Sequence, residues 1–409
     1  MKTNHAVLLV TLVGASALGL VACGGGGGSG SISSNSPAPS GGDSTAPTQL
    51  SACPADVSTP LFDTLPIDPN DFMAFRPLGF MSPPIHMFPA KHSSFSMTPL
   101  GQTPVPKPVR APGRVWVMEI WEASFSTGGA NYQLFVYPCS NVRVYFGHIA
   151  SLSDKLSAAI QQSTPRCNSF LTAGVTMTTC RHENLSLMLE AGEQMGMGPD
   201  SAGVDFGLVD FRRAPAAFVK PEHYDYYYPY YASPLDYFAP AAKSTLAGKT
   251  GHIFGTRLRT ADPIGGTYMQ DIAGTAQSNW FFPGVYHSNS TDLAPSLSLA
   301  SDYVDPAQPL MAIGTSIVGM SAGLYSFNVA TTGSTNRAFR DVTADGATYC
   351  YDHFLTGQTI GGMPLSQSSG ILLLSMPSDT TLKVERIAAA SCAAATAWAF
   401  SANATTFER

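Results

Sequence analysis

Charge is scarce in this chain: Asp, Glu, Lys and Arg make up 12% of its 409 residues, about half the usual share. The cations are scattered along the chain and the formal net charge is −6. A nucleic-acid partner would need a basic patch, so none is expected. No CxxC or CxxH spacing occurs, which removes support for a thiolate metal site. Beyond the N-terminal region no apolar run reaches the length of a membrane helix. Strand patterning is also poor from Pro60 to Pro112, where Pro83-Pro84 and Pro104, Pro106 and Pro108 remove ladder donors. Extended loop with few strands is expected there.

What the chain does have begins with an export signature. Lys2 supplies a positive start, Ala6 to Val21 an apolar run, and Leu20-Val21-Ala22-Cys23 ends it with small residues before a cysteine. This tract is similar to the lipobox of bacterial lipoproteins, which implies that residues 1–22 are removed and Cys23 is lipidated. The chain would then be exported and lipid-anchored, on the periplasmic face of the outer membrane or at the cell surface. Residues 23–60 open with Gly24 to Gly28 and continue rich in Ser, Gly and Pro, so they read as a flexible tether. Roughly 360 residues follow the Gly- and Ser-rich part, enough for two domains with their own cores.

Apart from Cys23, the cysteines are Cys53, Cys139, Cys167, Cys180, Cys350 and Cys392. An even number in an exported chain is the composition of a disulfide framework. Cys167 with Cys180 would close a short loop, and Cys350 with Cys392 would stay within the C-terminal region. Cys53 with Cys139 is the pair that remains.

Strand signals come in series after Pro112. Arg114 to Trp121 and Tyr132 to Tyr137 are rich in β-branched and aromatic residues. Alternation over Asn141 to Ile149 places Val142, Val144, Phe146 and His148 on one face. Leu152 to Gln161 is the helix candidate, capped by Ser151 or Ser153. Val204, Phe206 and Leu208 alternate with Asp205 and Gly207. From Phe218 to Phe238 the chain is crowded with tyrosine, which suits packing between domains or a ligand platform. Further short strands are expected at Gly251 to Arg259, Asn279 to Phe282, Leu310 to Val318, Ala347 to Tyr351, Ile371 to Met376 and Thr381 to Ile387. The fold class is therefore mainly β: one antiparallel β domain over 61–215, a Tyr-rich connector over 216–250, and a second antiparallel barrel or sandwich over 251–409.

Four tracts in the first of these carry a resemblance. They are Val109-Arg110-Ala111-Pro112-Gly113-Arg114-Val115, Tyr145-Phe146-Gly147-His148-Ile149, Glu190-Ala191-Gly192-Glu193-Gln194-Met195-Gly196 and Gly203-Val204-Asp205-Phe206-Gly207. In order and content they resemble the lysostaphin-type (LytM-like) zinc endopeptidases of the bacterial cell wall, over about a hundred residues. The resemblance implies a zinc site with an attacking water, an open coordination position and three protein ligands. His148 lies near the position of a histidine that assists the water, with one extra residue between it and Tyr145. Gly203 and Asp205 stand where the family has two histidines. The upstream candidate is His86, whose fourth following residue is Ala90 rather than Asp, with Lys91 and His92 next. A zinc site would have to be rebuilt from His86, His92 and Asp205, with His148 as the catalytic helper.

The expected function is consequently a peptidase-like groove that has lost standard zinc ligation. It would bind peptidoglycan, a glycan or an envelope protein, with no cofactor required. The alternatives are a zinc metalloendopeptidase with a rearranged site, and a structural or adhesive surface protein. Gly319-Met320-Ser321-Ala322-Gly323 matches the nucleophile-elbow pattern, but a strand rather than a helix is expected after it. Glu183, Glu190 and Glu193 read as a solvated edge, and the loops bearing Asp302, Asp305 and Asp345 lack regular calcium-ligand spacing.

Overall fold

The computed structural model describes residues 50–99, 101–126, 129–172, 175–290 and 292–409. The export signal, Cys23 and the tether as far as residue 49 lie outside the described residues. Within them the fold is mainly β, with several antiparallel sheets and two short α-helices.

The first unit contains β1 (Ala74–Arg76), β2 (Ser93–Ser96), β3 (Lys107–Arg110), β4 (Val115–Phe125), β5 (Ala130–Cys139), β6 (Val142–Ile149), β7 (Ser151–Leu152), α1 (Asp154–Gln161), β8 (Arg166–Thr172), β9 (Val175–Leu189), β10 (Gln194–Gly198) and β11 (Gly203–Asp210). One sheet takes the order β1-β2-β11-β6-β5-β4-β9-β8, and β3-β10-β7 form a small second sheet. Period-2 patterning explains the large sheet. Val142, Val144 and Phe146 of β6, Val204, Phe206 and Leu208 of β11, and Leu134 and Val136 of β5 all enter one buried core. The rings of Phe146 and Phe206 stack across the β6–β11 pair, 4.8 Å apart and 12° from parallel. Burying each such side chain is worth about 1.5–3 kcal/mol, so the register is strongly specified.

The proline-rich stretch yields three short strands, β1, β2 and β3. Of these β2 is the informative one: Ser93-Ser94-Phe95-Ser96 is wholly buried and lies between β1 and β11. Its serines hide it from a pattern search, since only Phe95 is apolar. In α1, Ser153 occupies the N-cap position without a side-chain capping bond, and Leu156 is the helix's buried residue.

The disulfides join Cys53 to Cys139, Cys167 to Cys180 and Cys350 to Cys392. The first of them holds the segment after residue 49 against β5. The Pro54 carbonyl also accepts a 2.8 Å hydrogen bond from Arg212 Nη1.

After the first unit, β12 (Tyr231–Ala232) pairs with β11, and α2 spans Pro240–Ala247. Two four-stranded antiparallel sheets follow. One is β13 (Ser278–Trp280), β14 (Leu297–Ser301), β15 (Pro309–Ile313) and β16 (Gly323–Tyr325). The other is β17 (Tyr349–Tyr351), β18 (Ile371–Ser378), β19 (Thr381–Ile387) and β20 (Thr405–Glu408). A single apolar cluster draws Trp280, Leu299 and Met311 from the first and Tyr351, Leu374 and Phe407 from the second. No sheet closes into a barrel among the described residues, which corrects the barrel alternative for this region. Shared burial between two open sheets meets the same need to cover apolar faces. The expected strand from Gly251 to Arg259 reduces to one bridge between Gly251 and Leu258. Gly319 to Ala322 lies in the connection between β15 and β16 and Gly323 opens β16, so a strand rather than a helix follows the motif.

The tyrosines of the connector divide between two environments. Tyr224, Tyr228 and Tyr237 are buried, and the first two join Phe218, Tyr268, Phe281 and Leu310 in a cluster that seals the seam between the units. Tyr226 and Tyr227 remain exposed and gather with Tyr230 around Phe211, at ring distances of 5.5, 5.9 and 5.0 Å.

Candidate functional site

Asp205 lies on the face of β11 opposite the core residues Val204 and Phe206, paired with Ser94 of β2 on one side and Gly147 of β6 on the other. That face is kept low by glycine. At Gly207 a Cβ would fall 2.0 Å from the Tyr145 ring, so only glycine lets that ring lie across the strand.

His148 reaches the same face by an irregularity. Strict alternation would put it in the core with Val144 and Phe146, as expected from the sequence. Instead Tyr132 pairs with Ile149 and Leu134 with Phe146, so two residues of β6 oppose one of β5. His148 sits in this bulge with φ 61°, a left-handed conformation uncommon outside glycine. The extra residue between Tyr145 and His148 is absorbed there, and the imidazole turns out of the core toward Asp205. Backbone strain of this kind concentrates at functional sites.

Three histidines surround Asp205. His92 Nδ1 lies 3.5 Å from Asp205 Oδ1 and 3.1 Å from the Ser93 carbonyl, to which it donates. His148 Nε2 lies 3.6 Å from Asp205 Oδ2. Its Nδ1 is 2.9 Å from Asp200 Oδ1 and 3.1 Å from Ser201 Oγ. Asn131 Nδ2 donates to the other Asp200 oxygen at 2.8 Å, so Asp200 orients the His148 ring. His86 sits at the end of a tight turn closed by reciprocal backbone bonds with Ser82, and its ring is 5.7 Å from that of His92. Sequence reasoning named these four residues. The structure brings all of them to one place.

It missed the fifth, Arg76. This half-buried side chain on β1 donates from Nε to Ser94 Oγ at 2.6 Å and stacks over Phe80 at 4.1 Å. An arginine in a proline-rich tract carries no pattern that would single it out. Lys91, which would disturb a metal site, points elsewhere: it lies over the rings of Tyr228 and Tyr231 and 3.9 Å from Asp225.

Enclosure and charge set the protonation states. Burial pushes His86 down from 6.5 to about 3, aided by His92 and Arg76, and burial also lowers His92. For His148 burial acts downward too, but Asp205 and Asp200 outweigh it and its pKa is raised. Burial opposes ionisation of Asp205, yet His92, His148, Arg76 and His86 hold its carboxyl below the usual range. The centre is therefore an ionised carboxylate between a neutral His92 and a readily protonated His148, with a guanidinium alongside.

This set does not fit zinc. The 3.5 and 3.6 Å spacings are close to those of donors sharing a small ion, each about 2.0–2.2 Å from it. However, the two imidazoles approach different oxygens of Asp205, and His92 Nδ1, the nitrogen nearest it, carries the proton donated to the Ser93 carbonyl and has no lone pair to offer. Among the described residues no three His, Cys, Asp or Glu side chains are set to hold a metal ion.

The same sheet face continues away from Asp205 as an aromatic strip. Tyr145 neighbours Phe135 at 6.2 Å and Phe135 neighbours Trp121 at 4.9 Å. Arg143 lies over Phe135 at 4.0 Å and Tyr227 at 4.9 Å, and Arg181 over Trp121 at 4.2 Å. Glu119 pairs with Arg143 at 3.2 Å and accepts from the Trp121 indole. Another cavity, of 280 Å³, opens at the seam beside Arg259, Asp271 and Asp302. Those groups already serve the backbone: Arg259 donates to the Tyr303 carbonyl, Asp271 accepts from Val219 and Asn279, and Asp302 from Val304 and Gly361.

The remaining polar candidates are structural. Glu183, Glu190 and Glu193 pair with Arg166, Arg114 and Lys155 at the surface. Asp345 accepts from Ala347 N and Tyr349 Oη. Compared with protein-family models, curated proteins and solved structures, the chain finds no match.

Proposed function

We propose that this protein is an exported, lipid-anchored envelope protein whose first unit is a lysostaphin-type sheet turned to binding. Its ligand in this reading is peptidoglycan, held along the face that runs from Asp205 to Trp121. The second unit is read as a sandwich that buttresses this face. One observation carries the proposal: His86, His92, His148 and Arg76 converge on the carboxylate of Asp205, and among the described residues they form no metal-holding group. The paired strip of rings, arginines and Glu119 supports the choice of ligand. Flat aromatic faces suit sugar rings, while fixed charges suit the amides and carboxylates of a stem peptide. Disulfide bonding agrees with an oxidising, extracytoplasmic setting.

Retention of the full chain on isolated sacculi tests the reading. Binding should survive a chelator and fall at least about tenfold, or roughly 1.4 kcal/mol, in the Trp121→Ala and His148→Ala variants. Chelator-sensitive release of wall peptides would replace it with the zinc-endopeptidase reading. Absence of retention would leave the structural or adhesive role.

A further inference from the structure

We propose that the Cys167–Cys180 disulfide is a redox-controlled clasp on the edge of the large sheet. A dithiol opens it while the other two bridges stay closed, and opening frees Arg181 from Trp121. The effect on ligand retention rests on the reading of that face as the binding face.

The three bridges differ in setting. Cys139, Cys350 and Cys392 are buried, and Cys53 packs against the core of the first unit. Cys167, in contrast, is exposed and Cys180 half-buried. They join β9 to β8, the last strand of the large sheet, beyond which no further strand pairs among the described residues. Cys167 and Cys180 also lie directly opposite each other in the ladder, so the covalent bond joins positions that backbone pairing already brings together. Loop length ranks the bridges in the same way: the sequence separation is 13 here against 42 and 86 for the others. The gain from restraining the unfolded chain grows with loop length, so this bridge contributes least. An exposed bridge that adds little to the fold is the one open to thiol–disulfide exchange.

The exchange balances with the dithiol alone. One thiolate of the reductant attacks the sulfur of Cys167, a mixed disulfide forms, and Cys180 leaves as a thiolate. The second thiol of the reductant then displaces Cys167 and closes the reductant into its own disulfide. Two electrons and two protons pass to the protein pair.

The neighbouring register gives the opening a consequence. Arg166 and Arg181 are the adjacent cross-strand pair, two like charges on one face. Glu183 holds Arg166 at 2.5 and 2.6 Å. Arg181 lies over the Trp121 ring at 4.2 Å and is its partner in the β4–β9 ladder. While the clasp is closed, Arg166 crowds Arg181 inward over the indole. Once it opens, β8 is an edge strand held from one side without a covalent tie. It frays, and Arg181 regains its rotamers. The fixed charge beside Trp121 becomes a mobile one, which weakens binding through lost preorganisation.

The experiment exposes the folded, oxidised full chain to dithiothreitol, quenches with an alkylating reagent at intervals, and maps the labelled cysteines while tryptophan emission is followed. Cys167 and Cys180 should label at least about tenfold faster than Cys53, Cys139, Cys350 and Cys392. Emission should change in step, and the change should be absent from Trp121→Phe. Sacculus retention should then fall roughly fivefold. Cys167→Ser combined with Cys180→Ser should show the lowered retention and no response to the dithiol. If that variant folds poorly, the wild type opened in place supplies the same readout. Prior opening of another bridge, or of all three together, overturns the inference. Opening of Cys167–Cys180 with no change in Trp121 emission overturns it as well. Failure of the oxidised wild type to bind sacculi would strike the proposed function, whereas labelling order and Trp121 emission still decide the clasp.

Discussion

Two buried carboxylates on strand β11, Asp205 and Asp210, show how one strand serves two purposes. At Asp210 every direction is filled. Arg212 grips both oxygens at 2.9 and 2.8 Å, its own backbone N–H adds a third bond at 2.9 Å, and the Tyr237 hydroxyl a fourth at 2.7 Å. At Asp205 no hydrogen bond of ordinary length arrives among the described residues, and the nearest imidazole nitrogens stand at 3.5 and 3.6 Å. Both carboxyls are held below the usual range. The first is held by contacts that saturate it, the second by charges that surround it and leave its lone pairs free. Saturation is what a fold needs to lock a strand end; unspent hydrogen-bonding capacity is what a ligand needs.

The largest expected effect separates them directly. Asp210→Ala strands a buried arginine and a tyrosine hydroxyl, and should destabilise the protein by about 3–5 kcal/mol. Asp205→Ala removes no ordinary hydrogen bond and should cost about half as much, within the roughly 1–3 kcal/mol typical of a lost polar partner. Urea unfolding of both variants measures the gap. Equal losses would mean that Asp205 is as structural as Asp210.

How much of this contrast is legible in the chain follows from periodicity. The alternation of Val204, Phe206 and Leu208 puts Asp205 on the opposite face, and the structure has it there. The cysteine spacing also led to the three disulfides now seen. What escaped depends on backbone geometry or on distant partners. His148 was placed with the core residues because alternation assumes an unbroken strand, and a bulge with a left-handed residue breaks it. Strand β2 escaped because serines in a proline-rich tract carry no period, although Ser94 ends up opposite Asp205. Arg76 escaped for a related reason. Its meaning comes only from the strand across from it, which no local window contains.

Acid sensitivity gives a second, intermediate contrast. His86 has a folded pKa of about 3 against an ordinary 6.5, so below pH 6.5 the unfolded chain binds a proton that the folded one refuses. Its effect is a loss of stability as pH falls from 6.5 toward 3. His148 has the opposite sign: its folded pKa is raised, so its contribution is present below 6.5 and lost as pH rises through the folded value. His86→Gln should therefore flatten the stability curve between pH 6.5 and 3, while His148→Gln should leave that window unchanged and remove a loss of stability that sets in as pH rises above 6.5. A stability–pH series by chemical denaturation reads both slopes, and identical slopes for the two variants would contradict the assigned environments. Asp210, whose own carboxyl is held below 3.8, adds a loss of the same sign only below about pH 5, so the His86 slope is read between pH 6.5 and that point.

The smallest effect concerns the bulge that delivers His148. At φ 61° a Cβ is disfavoured, and the cost of a non-glycine residue there is about 1–2 kcal/mol. His148→Ala keeps that strain while losing the bond to Asp200; His148→Gly loses the bond and relieves the strain. The glycine variant should thus be more stable than the alanine variant by about 1 kcal/mol, reversing the usual order in a strand. Both should lose sacculus retention alike, since neither presents an imidazole to Asp205. A glycine variant less stable than alanine would show that the left-handed bulge is not held at a cost. The strained delivery of His148 would then give no reason to set the Asp205 centre apart from the saturated pair at Asp210.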